Sequence, residues 1–434
     1  MKKNYLIIAG IIVFGILFYG LTLRGDVGSP TSSEFKNKLD TPTSAFELSP
    51  ERGRYVHVVA MAETGRFDIT KDWAEVAYPD VGISNDGRYY SFFAPGVAYL
   101  ALPLYQFGSQ YNLGQVAAFS SESIISIVTL IFIYLIAFKV FLLPRWAAFF
   151  SVLVYAFAST SWSYAITLYQ NAFTTCFIIT GYYAVWRYSK NDRRYSFLYA
   201  AYAWLAYALA ILVDYPNVLL YLPIIVYLAF VTFSLKKVNE GYEVTIRWAS
   251  VLTAVAFVAL TGLHFWHNTH YYGKWDRLAG TLKNYERPIA TSTRIGTMPS
   301  THEKVIIGAS SSTTLFQGPS KIKTEPEKTA VGFFHEKNIP HGLYILLFSD
   351  ERGLLIFSPI FALALFGMFQ FFRKKSHDQT VYLIPIFLVL INIFLYASWG
   401  DPWGGWAYGP RYLIPSLPWL AIFVGVFVSF GRFS

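Results

Sequence analysis

Apolar runs recur along the chain at roughly 5–23, 113–138, 146–160, 162–186, 195–213, 216–234, 248–267, 353–372, 380–398 and 412–430. Most approach the ~20 residues that a helix needs to cross a bilayer. The pattern predicts an all-α polytopic membrane protein with about ten transmembrane helices. A further apolar helix at 94–107 reaches only about 21 Å, short of a ~30 Å hydrocarbon core. Three polar stretches, 24–93, 271–350 and 399–411, interrupt the apolar pattern. Met1-Lys2-Lys3 followed by an apolar run resembles a signal peptide. The run is long, and no small-x-small cleavage site precedes Arg24, so it is expected to stay as an uncleaved first span.

Loop charge assigns the sides. With 94–107 placed as an interfacial or re-entrant helix, the inner segments hold 15 Lys+Arg against 4 Asp+Glu, and the remaining chain holds 20 against 22. Letting 94–107 cross would move Arg187–Arg194 and Arg373–Lys375 outside, against the positive-inside trend. The expected topology therefore has both termini cytoplasmic, in a multi-pass protein of the cytoplasmic membrane. The three polar stretches then share the outer face.

Composition agrees with the pattern. Hydrophobic residues make up 54% and charged residues 14%, which excludes an ordinary soluble domain. The net charge of +9 follows from the inner loops, so nucleic acid is not an expected partner. The single Cys176 excludes an internal disulfide. His264, His267 and His270 recur at a spacing of three without a carboxylate in register. The first outer loop lacks an Asp-x-Asp motif, so neither a metal nor a cofactor is expected.

The first outer loop, 24–93, carries 11 acids and is the expected catalytic loop. Within it Tyr55, Val58, Val59 and Ala62 form one apolar stripe. With Arg52, Arg54 and His57 off that stripe, the pattern predicts a helix lying on the membrane surface. Glu51 stands at its start after Ser49-Pro50, where the helix dipole favours an acid whatever the chemistry. The second outer loop, 271–350, is rich in Ser, Thr and Gly over Ala290–Ser320, with alternating charge over Lys321–Lys328. It reads as a surface loop, or as a lid or acceptor-contact segment.

An acid-bearing outer loop above an apolar bundle suits sugar transfer from a lipid phosphate. The donor's phosphate needs a guanidinium at the interface, and the acceptor hydroxyl needs a carboxylate base. The candidate bases are Glu51 and Asp80. Asp86 is read as a turn residue beside Gly87, and Asp214, at the outer end of a span, has a smaller claim. The candidate phosphate ligands are Arg411, Arg88 and Arg54. Tyr89, Tyr90, Trp403, Trp406, Tyr408 and Tyr412 are possible substrate contacts, the last four equally an interfacial aromatic belt. Glu122, inside a span, is either a functional acid or a structurally partnered one. The neighbouring polar pair Gln170-Asn171 raises the same question.

Several ordered motifs carry a resemblance. They are Glu51 and Arg54; Asp80 with Gly87-Arg88-Tyr89-Tyr90-Ser91 and Pro95-Gly96; Glu351-Arg352-Gly353-Leu354-Leu355 with Ser358-Pro359; and Trp403-Gly404-Gly405 with Gly409-Pro410-Arg411-Tyr412-Leu413. In this order and on one membrane side, they resemble a GT-C-fold glycosyltransferase. The related superfamily is that of the dolichyl-phosphate-mannose–protein mannosyltransferases, family-39-like. The resemblance implies a single GT-C-like domain over 1–434, a polyprenyl-phosphate sugar donor, inversion, and a first-loop carboxylate as base. Relatives often carry a Lys just before Ala-Pro-Gly, where this chain has Phe92-Phe93, so Arg88 or Arg411 would have to replace it. The expected activity is that of a hexosyl- or pentosyltransferase acting on an outer-face glycan, lipid or protein. The rival readings are a lipid-linked-sugar flippase or other transporter, disfavoured by the lack of an internal repeat, and a non-catalytic subunit.

Overall fold

The computed structural model describes residues 2–39, 41, 44–190, 195–238, 241–287, 330–373 and 379–430. The Ser/Thr/Gly-rich segment expected as a lid, and the charged run after it, lie outside the described residues.

Helix α1 (Lys2–Thr22) leads into the first loop, which contains α2 (Ser32–Lys38), α3 (Ser49–Thr64), α4 (Lys71–Ala77) and the strands β1 (Val81–Ile83) and β2 (Tyr89–Ser91). The bundle continues with α5 (Gly96–Ser109), α6 (Gly114–Lys139), α7 (Arg145–Phe157), α8 (Ser161–Ala165), α9 (Asn171–Ser189) and α10 (Phe197–Val213). After α11 (Asn217–Leu220) and α12 (Leu222–Thr232), the hairpin β3 (Phe233–Val238) and β4 (Gly241–Ile246) precedes α13 (Trp248–Leu252) and α14 (Val255–Tyr272). Strand β5 (Lys283–Asn284), α15 (Ile339–Phe348), α16 (Leu354–Phe357), α17 (Ala362–Arg373), α18 (Gln379–Ala397) and α19 (Leu417–Phe430) complete the order.

Among the described residues, four helical stretches are long and apolar enough to cross a bilayer unaided: Lys3–Thr22, Gly114–Lys139, Trp248–Tyr272 and Arg411–Phe430. Other predicted spans are shorter or broken. The run predicted at 162–186 divides into α8 and α9, with 166–170 non-helical. Backbone that leaves the helix at membrane depth must find other hydrogen-bond partners. Here Arg24 N donates to Ile166 O at 3.1 Å, and Glu51, Arg54 and Asp214 bond the side chains of Thr167 and Gln170 in the same break.

The first loop folds onto the bundle as a packed layer. Strand β1 pairs antiparallel with β2, and β5 from the second loop adds to its other edge in register Gly82 to Asn284. Helix α3 is not the half-exposed surface helix its stripe predicts. Gly53 through Met61 are all buried, including Arg54 and His57. Phe35, Phe46 and Phe119 surround Tyr55 on one side. On another, His57 stacks on Phe67 at 4.0 Å between ring centroids. His57 Nε2 accepts from Ser91 N, so its proton sits on Nδ1 and is donated to Phe67 O. Burial lowers the His57 imidazole to about 4, so the ring is neutral and serves as a pin between helix and hairpin. The helix ends at Gly65, whose φ of 67° closes it in the left-handed region.

Candidate active site

Glu51 occupies the third position of α3. Its Oε2 accepts from the backbone N–H of Leu48 at 3.1 Å and from that of Glu47. It therefore caps the helix, as its position suggested. The other oxygen accepts from the Thr167 hydroxyl in the α8–α9 break. That same oxygen lies 3.8 Å from Arg24 Nη1. Burial pushes the Glu51 carboxyl above the usual carboxylate range, and the Arg24 charge and these hydrogen bonds oppose the rise.

One turn further on, Arg54 crosses to the same break. Its Nη2 donates to Gln170 Oε1 at 2.6 Å, its Nη1 to Pro50 O at 2.9 Å, and its guanidinium lies 4.4 Å from the Phe93 ring centroid. Asn171, the next residue, donates to Arg411 O at 2.6 Å. The Arg411 guanidinium lies over the rings of Tyr412 and Tyr169, at 5.0 and 5.9 Å. Gln170 Nε2 and Tyr396 Oη reach Asp214 Oδ2 at 3.4 and 3.3 Å. Burial lowers the Arg54 guanidinium to about 10, with Asp214 supporting its charge and Arg411 repelling it. Two cations and a carboxylate thus meet around the break, beside a small cleft lined by Gln170, Asn171, Thr174, Asp214, Tyr396, Arg411 and Tyr412. Among the described residues, the buried Nε atoms of Arg54 and Arg411 have no acceptor. A buried guanidinium donor without an acceptor is costly, and an anion would satisfy both.

A family model described as dolichyl-phosphate-mannose-protein mannosyltransferase matches residues 95–264. Crystal structures of ArnT from Cupriavidus metallidurans align with the whole chain. The apo structure gives a TM-score of 0.56 at 13% identity, covering 100% of this chain and 60% of that one. The structure bound to undecaprenyl phosphate gives 0.54 at 14% identity, covering 100% and 61%. The chain has the GT-C fold. Over residues 95–264 it is similar to the dolichyl-phosphate-mannose-protein mannosyltransferase family, and it spans about 60% of the length of the ArnT chains it matches. No curated protein matches the sequence. The matched stretch of this GT-C chain includes Glu122, the α8–α9 break and Asp214, while Glu51, Arg54 and Arg411 come from outside it.

The other sequence candidates disperse within the GT-C frame. Asp80 is half-buried and accepts from Ser49 Oγ at the start of α3. Arg88 stands at the β1–β2 hairpin, where its Nε meets Asp86 Oδ2 at 2.9 Å. It forms a local turn pair, as the Asp86-Gly87 turn allows. Tyr90 is fully buried against Tyr272, and Tyr89 packs on Tyr285, so both rings hold the loop layer together. Trp403 donates from Nε1 to Glu351 Oε2 at 2.7 Å, while Trp406 is 89% exposed. Tyr408 O accepts from Tyr164 Oη at 2.7 Å, and Tyr412 stacks on Tyr396 at 4.4 Å. Arg352 donates to Trp403 O and Gly405 O and so fixes the loop that carries Arg411. The sequence reading passed over Arg24, Thr167, Tyr169 and Tyr396. Arg24 was legible as the first charge after the first span, whereas Thr167 and the two tyrosines gave no signal in an aromatic-rich chain.

Proposed function

We propose that this protein is an inverting glycosyltransferase that moves a sugar from a polyprenyl-phosphate-linked donor to an acceptor on the outer face of the cytoplasmic membrane. The observation that carries the reading is the pair of buried guanidiniums, Arg54 and Arg411, whose Nε donors are without acceptors among the described residues; Arg411 lines the cleft, and Arg54 bonds Gln170 on its wall. In the proposed complex they clamp the donor phosphate, the group that guanidinium fork geometry suits best. Undecaprenyl phosphate in the ArnT structure supports a phosphate of this lipid class.

Glu51 is the base in this reading. It shares the α8–α9 break with both arginines, whereas the carboxylate contact of Asp80 is to Ser49. The acceptor hydroxyl gives its proton to Glu51 as its oxygen bonds to the anomeric carbon. The bond from that carbon to the phosphate oxygen breaks, and its electron pair leaves with polyprenyl phosphate. Attack opposite the leaving phosphate inverts the centre. The charge developing on the phosphate is met by the two guanidiniums, so a protonated leaving group is not required.

The test is turnover in lipid. The purified protein is offered a panel of polyprenyl-phosphate sugars with envelope extracts as acceptor, and released polyprenyl phosphate is followed by mass spectrometry. Turnover abolished in Glu51→Gln and Arg411→Ala but kept in Asp80→Asn supports the assignment. Turnover abolished in Asp80→Asn and kept in Glu51→Gln makes Asp80 the base. An absence of turnover with every donor, beside an active control transferase, favours transport over transfer.

A further inference from the structure

One buried acid within charge reach of Arg54 has no part in the proposed transfer. Glu122 lies within α6 and is 0% exposed. Among the described residues, neither of its carboxylate oxygens has a hydrogen-bond partner of good geometry. Its serine neighbours do not serve it: Ser121 Oγ donates to Ala118 O at 2.6 Å and Ser123 Oγ to Ala165 O at 2.7 Å. The carboxylate lies within electrostatic reach of Arg54 and of the Ala172 and Phe173 amides in the first turn of α9. The amides give it a structural contact at the start of α9, yet an acid at this depth is costly and marks function more often than packing.

Charge accounts for its presence. Arg54, Arg411 and Arg24 bring three positive charges to the break, and Asp214 and Glu51 bring two negative charges. Glu122 makes the empty cluster neutral. Arg54 does not need Glu122 as an anchor, because Pro50 O, Gln170 Oε1 and the Phe93 ring already hold its guanidinium. The acid therefore acts on the field at the phosphate, not on the geometry of its ligand. We propose that Glu122 is the counter-charge of the donor-phosphate site, a fixed negative charge that offsets the arginines, limits the grip on polyprenyl phosphate and lets the product leave. This rests on the reading that Arg54 and Arg411 hold the donor phosphate. The monoester product carries more negative charge than the diester donor, so a fixed negative charge nearby opposes the product more than the substrate.

The experiment titrates polyprenyl phosphate into the full-length protein in detergent by calorimetry, and measures kcat and KM separately, for wild type, Glu122→Gln, Glu122→Met and Glu122→Asp. Loss of one charge near the phosphate is worth on the order of tenfold. Both neutral variants are expected to bind polyprenyl phosphate about tenfold tighter and to lose kcat and KM together. Glu122→Asp, which keeps the charge, is expected to stay near wild type. A packing role gives the reverse order: the isosteric Gln stays at wild type and the shortened Asp moves. That order overturns the proposal, as do neutral variants with unchanged affinity. A wild type that does not bind polyprenyl phosphate overturns the phosphate-site reading itself, and the counter-charge role with it.

Discussion

If Glu51 is the base, the residue that sets its working pH is Arg24. The carboxyl is pushed upward by burial, and the Arg24 charge is the first effect opposing this. Arg24 Nη1 lies 3.8 Å from Glu51 Oε1, with 29% of the Arg24 side chain exposed. Two unit charges at about that distance interact by about 4 kcal/mol at an effective dielectric of about 20. Arg24 is also shared with Glu47, at 3.8 Å, and its exposure admits screening. About a third of the ideal value, ~1.4 kcal/mol, is therefore the working expectation, which corresponds to about one pH unit. The base works deprotonated, and Arg24 stabilises that form. Arg24→Gln should therefore move the acid limb of the kcat/KM profile upward by about one unit, and Arg24→Lys should restore most of the shift. The assay is polyprenyl phosphate release from about pH 4 to pH 8, where the limb reports the free enzyme's essential base. An Arg24→Gln profile with a lower plateau and an unmoved limb would refute the electrostatic argument and leave Arg24 a purely structural link.

Three further expectations follow from the geometry. A Cβ at Gly404, where φ is +68°, would lie 2.7 Å from Arg411 Nε and 3.0 Å from the Tyr412 ring, so Gly404→Ala should cut turnover at least tenfold, with a folded protein by size-exclusion chromatography. Arg88→Ala removes an exposed hairpin ion pair away from the break and should leave turnover and polyprenyl phosphate affinity within about twofold of wild type. Burial lowers His57 from its ordinary value to about 4; the unfolded chain takes the proton first, so stability is full above pH ~6.5 and falls towards pH ~4, by up to about 3 kcal/mol. A thermal melt series across that range should show the decline, and His57→Gln should flatten it.

What the sequence made legible follows the strength of each physical signal. The apolar runs were readable because a bilayer imposes a length and a composition. Arg411 stood out because a cation at the start of an apolar run, on the side expected to face outward, goes against the usual charge pattern. Glu51 was singled out twice, as a candidate base and as a cap, and the structure shows the cap directly through Glu47 and Leu48. The break at 166–170 was missed because its residues are as apolar and aromatic as their surroundings. Only Gln170-Asn171 interrupts them, and the partners that satisfy the exposed backbone come from distant segments such as Arg24. The same long range hid the burial of α3. Its stripe is real, but the loop layer and the bundle cover the opposite face as well. Arg88 matched a motif by position, yet its neighbour Asp86 claims it in the fold.

The central claim is that Arg54 and Arg411 together hold a lipid phosphate, and native mass spectrometry of the protein with polyprenyl phosphate tests it most directly. Wild type and Arg88→Ala should retain one bound lipid at the same collision energy, while Arg54→Ala and Arg411→Ala should each release it, with affinity down on the order of a hundredfold for the loss of a buried charged contact. Equal retention by all four proteins would contradict the account and place the phosphate elsewhere.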